Sequence, residues 1–198
     1  MEGTGGNRTG GAAVGSELYG VYVYLLNSEI SSTGAAITIK GNRRSNERHR
    51  LVRRLRAGRQ DSTGGAGALT IIGTGGTCSG GNAGTANSIG VAVVPDQTAT
   101  PAGGIITSTG TGVNAGNISI TGTAGNGGNG GGEGVRVDGP GKVTSVDGSI
   151  TFDGTGAAGG NACLGVSIRG AVTATGAGAI SITGNGADST DPTRQCMA

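Results

Sequence analysis

The chain has 198 residues, of which 46 are glycine, none is tryptophan, 2% are aromatic and 13% are charged. That is room for one domain or a handful of repeats, with too little bulk to fill the compact core of an ordinary soluble enzyme. No Gly-X-Y triplet persists, which excludes collagen, and the formal net charge of +2 hides an uneven distribution.

In chain order, the first strand read from the pattern is Gly20-Val21-Tyr22-Val23, followed by Glu29-Ile30-Ser31-Ser32 and then Ala36-Ile37-Thr38-Ile39-Lys40-Gly41. Apolar residues at every second position predict strands buried on one face, and valine and isoleucine suit the pleated surface. Next comes a segment of a different kind. Eight of the 14 basic residues, Arg43, Arg44, Arg48, Arg50, Arg53, Arg54, Arg56 and Arg59, lie there with one acidic residue, Glu47, while the rest of the chain carries 6 basic and 11 acidic residues. As a basic helix with Leu51, Val52 and Leu55 on one face, this stretch would be a candidate site for a polyanion, either nucleic acid or acidic polysaccharide, or for a membrane surface. It also has the composition of Gly/Ala-rich, GC-rich coding sequence read one base off, or of one diverged repeat.

Beyond it the strand pattern returns as Ala68-Leu69-Thr70-Ile71-Ile72-Gly73, and then as three triplets of strands. These are Gly90-Val91-Ala92-Val93, Ile106-Thr107-Ser108 and Asn117-Ile118-Ser119-Ile120-Thr121-Gly122; Gly134-Val135-Arg136-Val137, Lys142-Val143-Thr144-Ser145 and Ser149-Ile150-Thr151-Phe152-Asp153-Gly154; and Gly165-Val166-Ser167-Ile168, Ala171-Val172-Thr173-Ala174 and Ala179-Ile180-Ser181-Ile182-Thr183-Gly184. The closing glycines, starting from Gly41, stand 32, 49, 32 and 30 residues apart. A period of about 31 residues with one enlarged copy is a repeat architecture. The enlargement, around Val94-Pro95-Asp96-Gln97-Thr98-Ala99-Thr100-Pro101, reads as a surface loop.

A unit of this length cannot bury its own apolar stripe, so stacking is expected, with successive coils pairing in parallel. The fold class predicted is all-β, a parallel β-solenoid with one disrupted coil, in preference to a sandwich. Its inward ladders would be Val21, Val91, Val135 and Val166 on one sheet and Ile37, Leu69, Ile118, Ile150 and Ile180 on another. One Gly-Val-x-Val strand is missing between Gly20 and Gly90. The organisation expected is a first unit over 1–41, the Arg-rich segment over 42–60, stacked units over 61–187 and a tail over 188–198.

Candidate chemistry is sparse. Cys78, Cys163 and Cys196 make no CxxC pair and His49 is the only histidine, so no metal or cofactor site is expected, and the odd cysteine count argues against a disulfide framework. Arg136, Asp138, Lys142, Asp147 and Asp153 are the best charged cluster for a polysaccharide-cleaving site, yet each falls at an outward or turn position, and no catalytic role is expected. Gly127-Gly128-Asn129-Gly130-Gly131-Gly132-Glu133 lacks the aspartate of a calcium-binding β-roll, and Gly139-Pro140-Gly141-Lys142-Val143 lacks the Ser or Thr of a phosphate loop. Tyr19, Tyr22 and Tyr24 could stack on sugars or shield a strand edge. Asn7-Arg8-Thr9 and Asn117-Ile118-Ser119 fit the glycosylation pattern. No apolar run approaches the roughly 18 residues of a membrane helix, and residues 1–20 show no export signal.

The succession Gly-Val-x-Val, Val-Thr-Ser and Gly-x-Ile-Thr-Ile-x-Gly-Thr-Gly-Gly resembles the repeats of very large bacterial surface proteins, the β-strand repeat proteins, which look like relatives of filamentous-haemagglutinin-type and autotransporter-type adhesins. The resemblance covers residues 10–41 and 61–187. It implies a right-handed β-helix, extracellular or cell-surface as part of a longer parent, serving as a structural or adhesive stalk with no catalytic residues to carry over, and it implies host or matrix polysaccharide or neighbouring cell-surface proteins as partners, with nucleic acid the weaker expectation.

Overall fold

The computed structural model describes residues 2–5, 18–23, 29–32, 35–43, 66–77, 87–94, 103–126, 132–158 and 163–188. Among these residues the protein is all-β, with fourteen strands and no helix. The strands are β1 (Glu2–Gly5), β2 (Leu18–Val23), β3 (Glu29–Ser32), β4 (Ile37–Arg43), β5 (Leu69–Thr74), β6 (Ser88–Val93), β7 (Ile105–Ser108), β8 (Ile118–Thr123), β9 (Gly132–Val137), β10 (Lys142–Ser145), β11 (Ile150–Thr155), β12 (Val166–Ile168), β13 (Ala171–Ala174) and β14 (Ile180–Asn185). They form three sheets, and every strand pairing within them is parallel. The first sheet runs β1-β4-β5-β8-β11-β14, the second β3-β7-β10-β13 and the third β2-β6-β9-β12.

Equivalent residues of successive strands pair with one another, and this sets the core. Ile37 pairs with Leu69, Leu69 with Ile118, Ile118 with Ile150 and Ile150 with Ile180. On the third sheet Val21, Val91, Val135 and Val166 form a second ladder, and on the second sheet Ile30, Ile106, Val143 and Val172 form another. Phe152, the one phenylalanine, lies between Ile120 and Ile182 and is fully buried. Apart from Ile180 and Ile182, these side chains form one apolar cluster shared by all three sheets. Stacking like on like is what a repeated alternating sequence favours, because a one-residue slip would turn every buried side chain outward.

Glycine has a packing role where the first and third sheets meet. A Cβ on Gly41, Gly73, Gly122 or Gly154 would run into the carbonyl oxygen of Gly20, Gly90, Gly134 or Gly165 respectively. The closing glycine of one strand and the leading glycine of Gly-Val-x-Val are thus two halves of one backbone contact, and both repeat because the contact does.

The missing strand has a structural consequence. In the first sheet β5 separates β4 from β8, but in the other sheets β2 pairs directly with β6 and β3 with β7. No described strand of the second or third sheet comes from the stretch between β4 and β5. The first unit's β2 and β3 therefore lie directly beside β6 and β7. The first sheet consequently carries two more strands than either neighbour, β5 and β1. Strand β1, Glu2-Gly3-Thr4-Gly5, is not among the strands expected from the pattern; it pairs with Lys40 to Arg43 of β4.

Candidate functional site

The candidate surfaces are the outward faces of the sheets. On the first sheet the in-register pairing converts a repeated Thr-Ile-Thr pattern into ranks of hydroxyls. Thr38, Thr70, Ser119, Thr151 and Ser181 form one rank, and Asn42, Thr74, Thr123, Thr155 and Asn185 another. Every position in both ranks is exposed or half-buried. Between them lies the rank Lys40, Ile72, Thr121, Asp153 and Thr183. Neighbours along a rank are about 4.8 Å apart, the spacing of paired strands. The face is flat, polar and close to neutral, with donors and acceptors on a regular grid.

The outward face of the third sheet is different. Tyr19 and Tyr22 stack with ring centroids 4.1 Å apart and an interplanar angle of 20°, against Ile89, Ala92 and Val94. Further along the same face Arg136 Nε lies 3.3 Å from Glu133 Oε2 and 2.8 Å from Asp138 Oδ2, and an Arg169 guanidinium nitrogen lies 3.7 Å from Asp138 Oδ1. Tyr19 and Tyr22 pack over apolar side chains here. Tyr24 lies outside the described residues.

The charged residues proposed as a cleavage cluster do not converge. Asp153 projects from the first sheet, Lys142 belongs to the second, and Arg136 is on the third, paired with Asp138 just after it. Asp147 sits at a turn, where its carboxylate accepts hydrogen bonds from the backbone N–H groups of Gly112 at 2.7 Å and Ala177 at 3.0 Å. Those two amides hold its pKa below the ordinary carboxylate value. The residue ties together turns from three successive coils.

Among the described residues no group of three His, Cys, Asp or Glu could hold a metal ion, and no helix is long and apolar enough to cross a membrane. Cys163, fully buried, is disulfide-bonded. This bond runs against the odd cysteine count, which argues against a disulfide framework; Cys78 and Cys196 lie outside the described residues. In the turn Gly139-Pro140-Gly141, the Gly141 N–H donates to the Asp138 carbonyl at 2.7 Å, and Val143 beyond it is a core residue. Asn117 of the second glycosylation pattern is exposed, and its Oδ1 accepts from the Ser149 N–H at 2.8 Å.

Of the eight arginines proposed to bind polyanions, only Arg43 belongs to a described element, the last residue of β4, where it pairs with Gly5. Arg44, Arg48, Arg50, Arg53, Arg54, Arg56 and Arg59 lie outside the described residues. The Ser/Thr face is the feature that strand-by-strand reading missed. Its signal, a hydroxyl at the same place in each Ile-x-Ile copy, was in the repeat, but which copies become neighbours is a property of the sheet.

No protein-family model, no curated protein and no solved structure matches this chain.

Proposed function

We propose that this chain is a non-catalytic structural or adhesive segment: a right-handed parallel β-solenoid of roughly 31-residue coils, belonging to a large secreted or cell-surface bacterial repeat protein. The observation that carries the reading is the register. Leu69, Ile118 and Ile150, then Ile106, Val143 and Val172, then Val91, Val135 and Val166 pair like with like in all three sheets. A structure in which each coil rests only on its neighbours is an extensible rod, and its exposed face repeats the same chemistry at every step. Display of the first sheet's hydroxyl and amide ranks to host or matrix polysaccharide is the adhesive part of the proposal.

Three measurements test it. A strand-dominated far-UV spectrum is expected, and appending a further repeat after residue 188 raises the melting temperature, because nearest-neighbour stacking contributes most of a solenoid's stability. Helix, or coil that persists in the extended chain, refutes the architecture. Retention on immobilised neutral polysaccharide, lost when Thr121 and Thr151 are both replaced by lysine, tests the adhesive face.

A second reading, polyanion binding through Arg43 to Arg59, rests on the observation that β2 and β6 pair directly, so the three sheets are continuous without that stretch. Heparin affinity that falls steeply with salt and disappears when the eight arginines become serine supports it; affinity unchanged by the replacement removes it.

A further inference from the structure

We draw no further inference here: the strongest candidate, the buried apolar patch of Ile89, Ala92 and Val94 beside the stacked Tyr19 and Tyr22 on the outward face of the third sheet, carries nothing, because nothing among the described residues shows what covers it.

Discussion

Ser108 and Ser145 are paired neighbours on adjacent strands of the second sheet, 1% and 2% exposed, yet only one of them satisfies its hydroxyl. Ser108 Oγ donates to the Gly116 carbonyl at 2.7 Å, while Ser145 Oγ has no hydrogen-bond partner. A buried hydroxyl without a partner costs about 1–3 kcal/mol, and a satisfied one contributes about 1 kcal/mol. Ser108→Ala is therefore expected to destabilise by about 1–2 kcal/mol and Ser145→Ala to be neutral or stabilising. Chemical denaturation of the two variants checks the difference in sign.

Gly122 and Gly112 make a second contrast. A Cβ at Gly122 collides with the Gly134 backbone, whereas one at Gly112 meets nothing within 4 Å and is disfavoured only by a φ of +77°. Gly122→Ala forces two sheets apart and is expected to cost about 3 kcal/mol, the upper end of the overpacking range. Gly112→Ala costs about 1 kcal/mol. Equal losses in thermal melts would mean that the glycine contact is not a constraint.

Asp147 gives the fold a dependence on acid. Its pKa is lowered in the folded state by the amides of Gly112 and Ala177, so its contribution is present above the unfolded carboxylate pKa of about 3.9 and is lost as pH falls through the lower folded value. Asp147→Ala is expected to lower the melting temperature at neutral pH, with the gap to the parent chain shrinking at the acid end. A gap independent of pH would assign the effect to packing.

Arg136 lies between Glu133, whose side chain is 5% exposed, and Asp138. Arg136→Met keeps the aliphatic stem and removes the counter-charge, and is expected to cost about 2 kcal/mol. Adding Glu133→Gln should recover part of that loss. A double-mutant cycle with zero coupling would show that the pair acts only as covering for the sheet.

The alternation Ile-x-Ile and Val-x-Val determined which segments are strands and which side chains are buried, because a period of two admits no other placement for an apolar face. Strands β3, β10 and β13 have the limits their sequences predict, and the ladders through Val91 and Leu69 run in the expected register. Ile180 is in register but half-exposed, since being inward does not bury a residue unless another strand lies beyond it. The candidate face was legible only in part, because hydroxyls 32 residues apart, such as Ser119 and Thr151, become a rank only when their strands pair.

The sequence by itself determined an all-β protein and a repeat in its strands, since both follow from local pattern. Only the tertiary structure decided that β2 joins β6 and that β1 extends the first sheet. Those are outcomes of competition among equivalent strands for the same edges, and near-identical repeats give the local sequence no means of ranking the competitors.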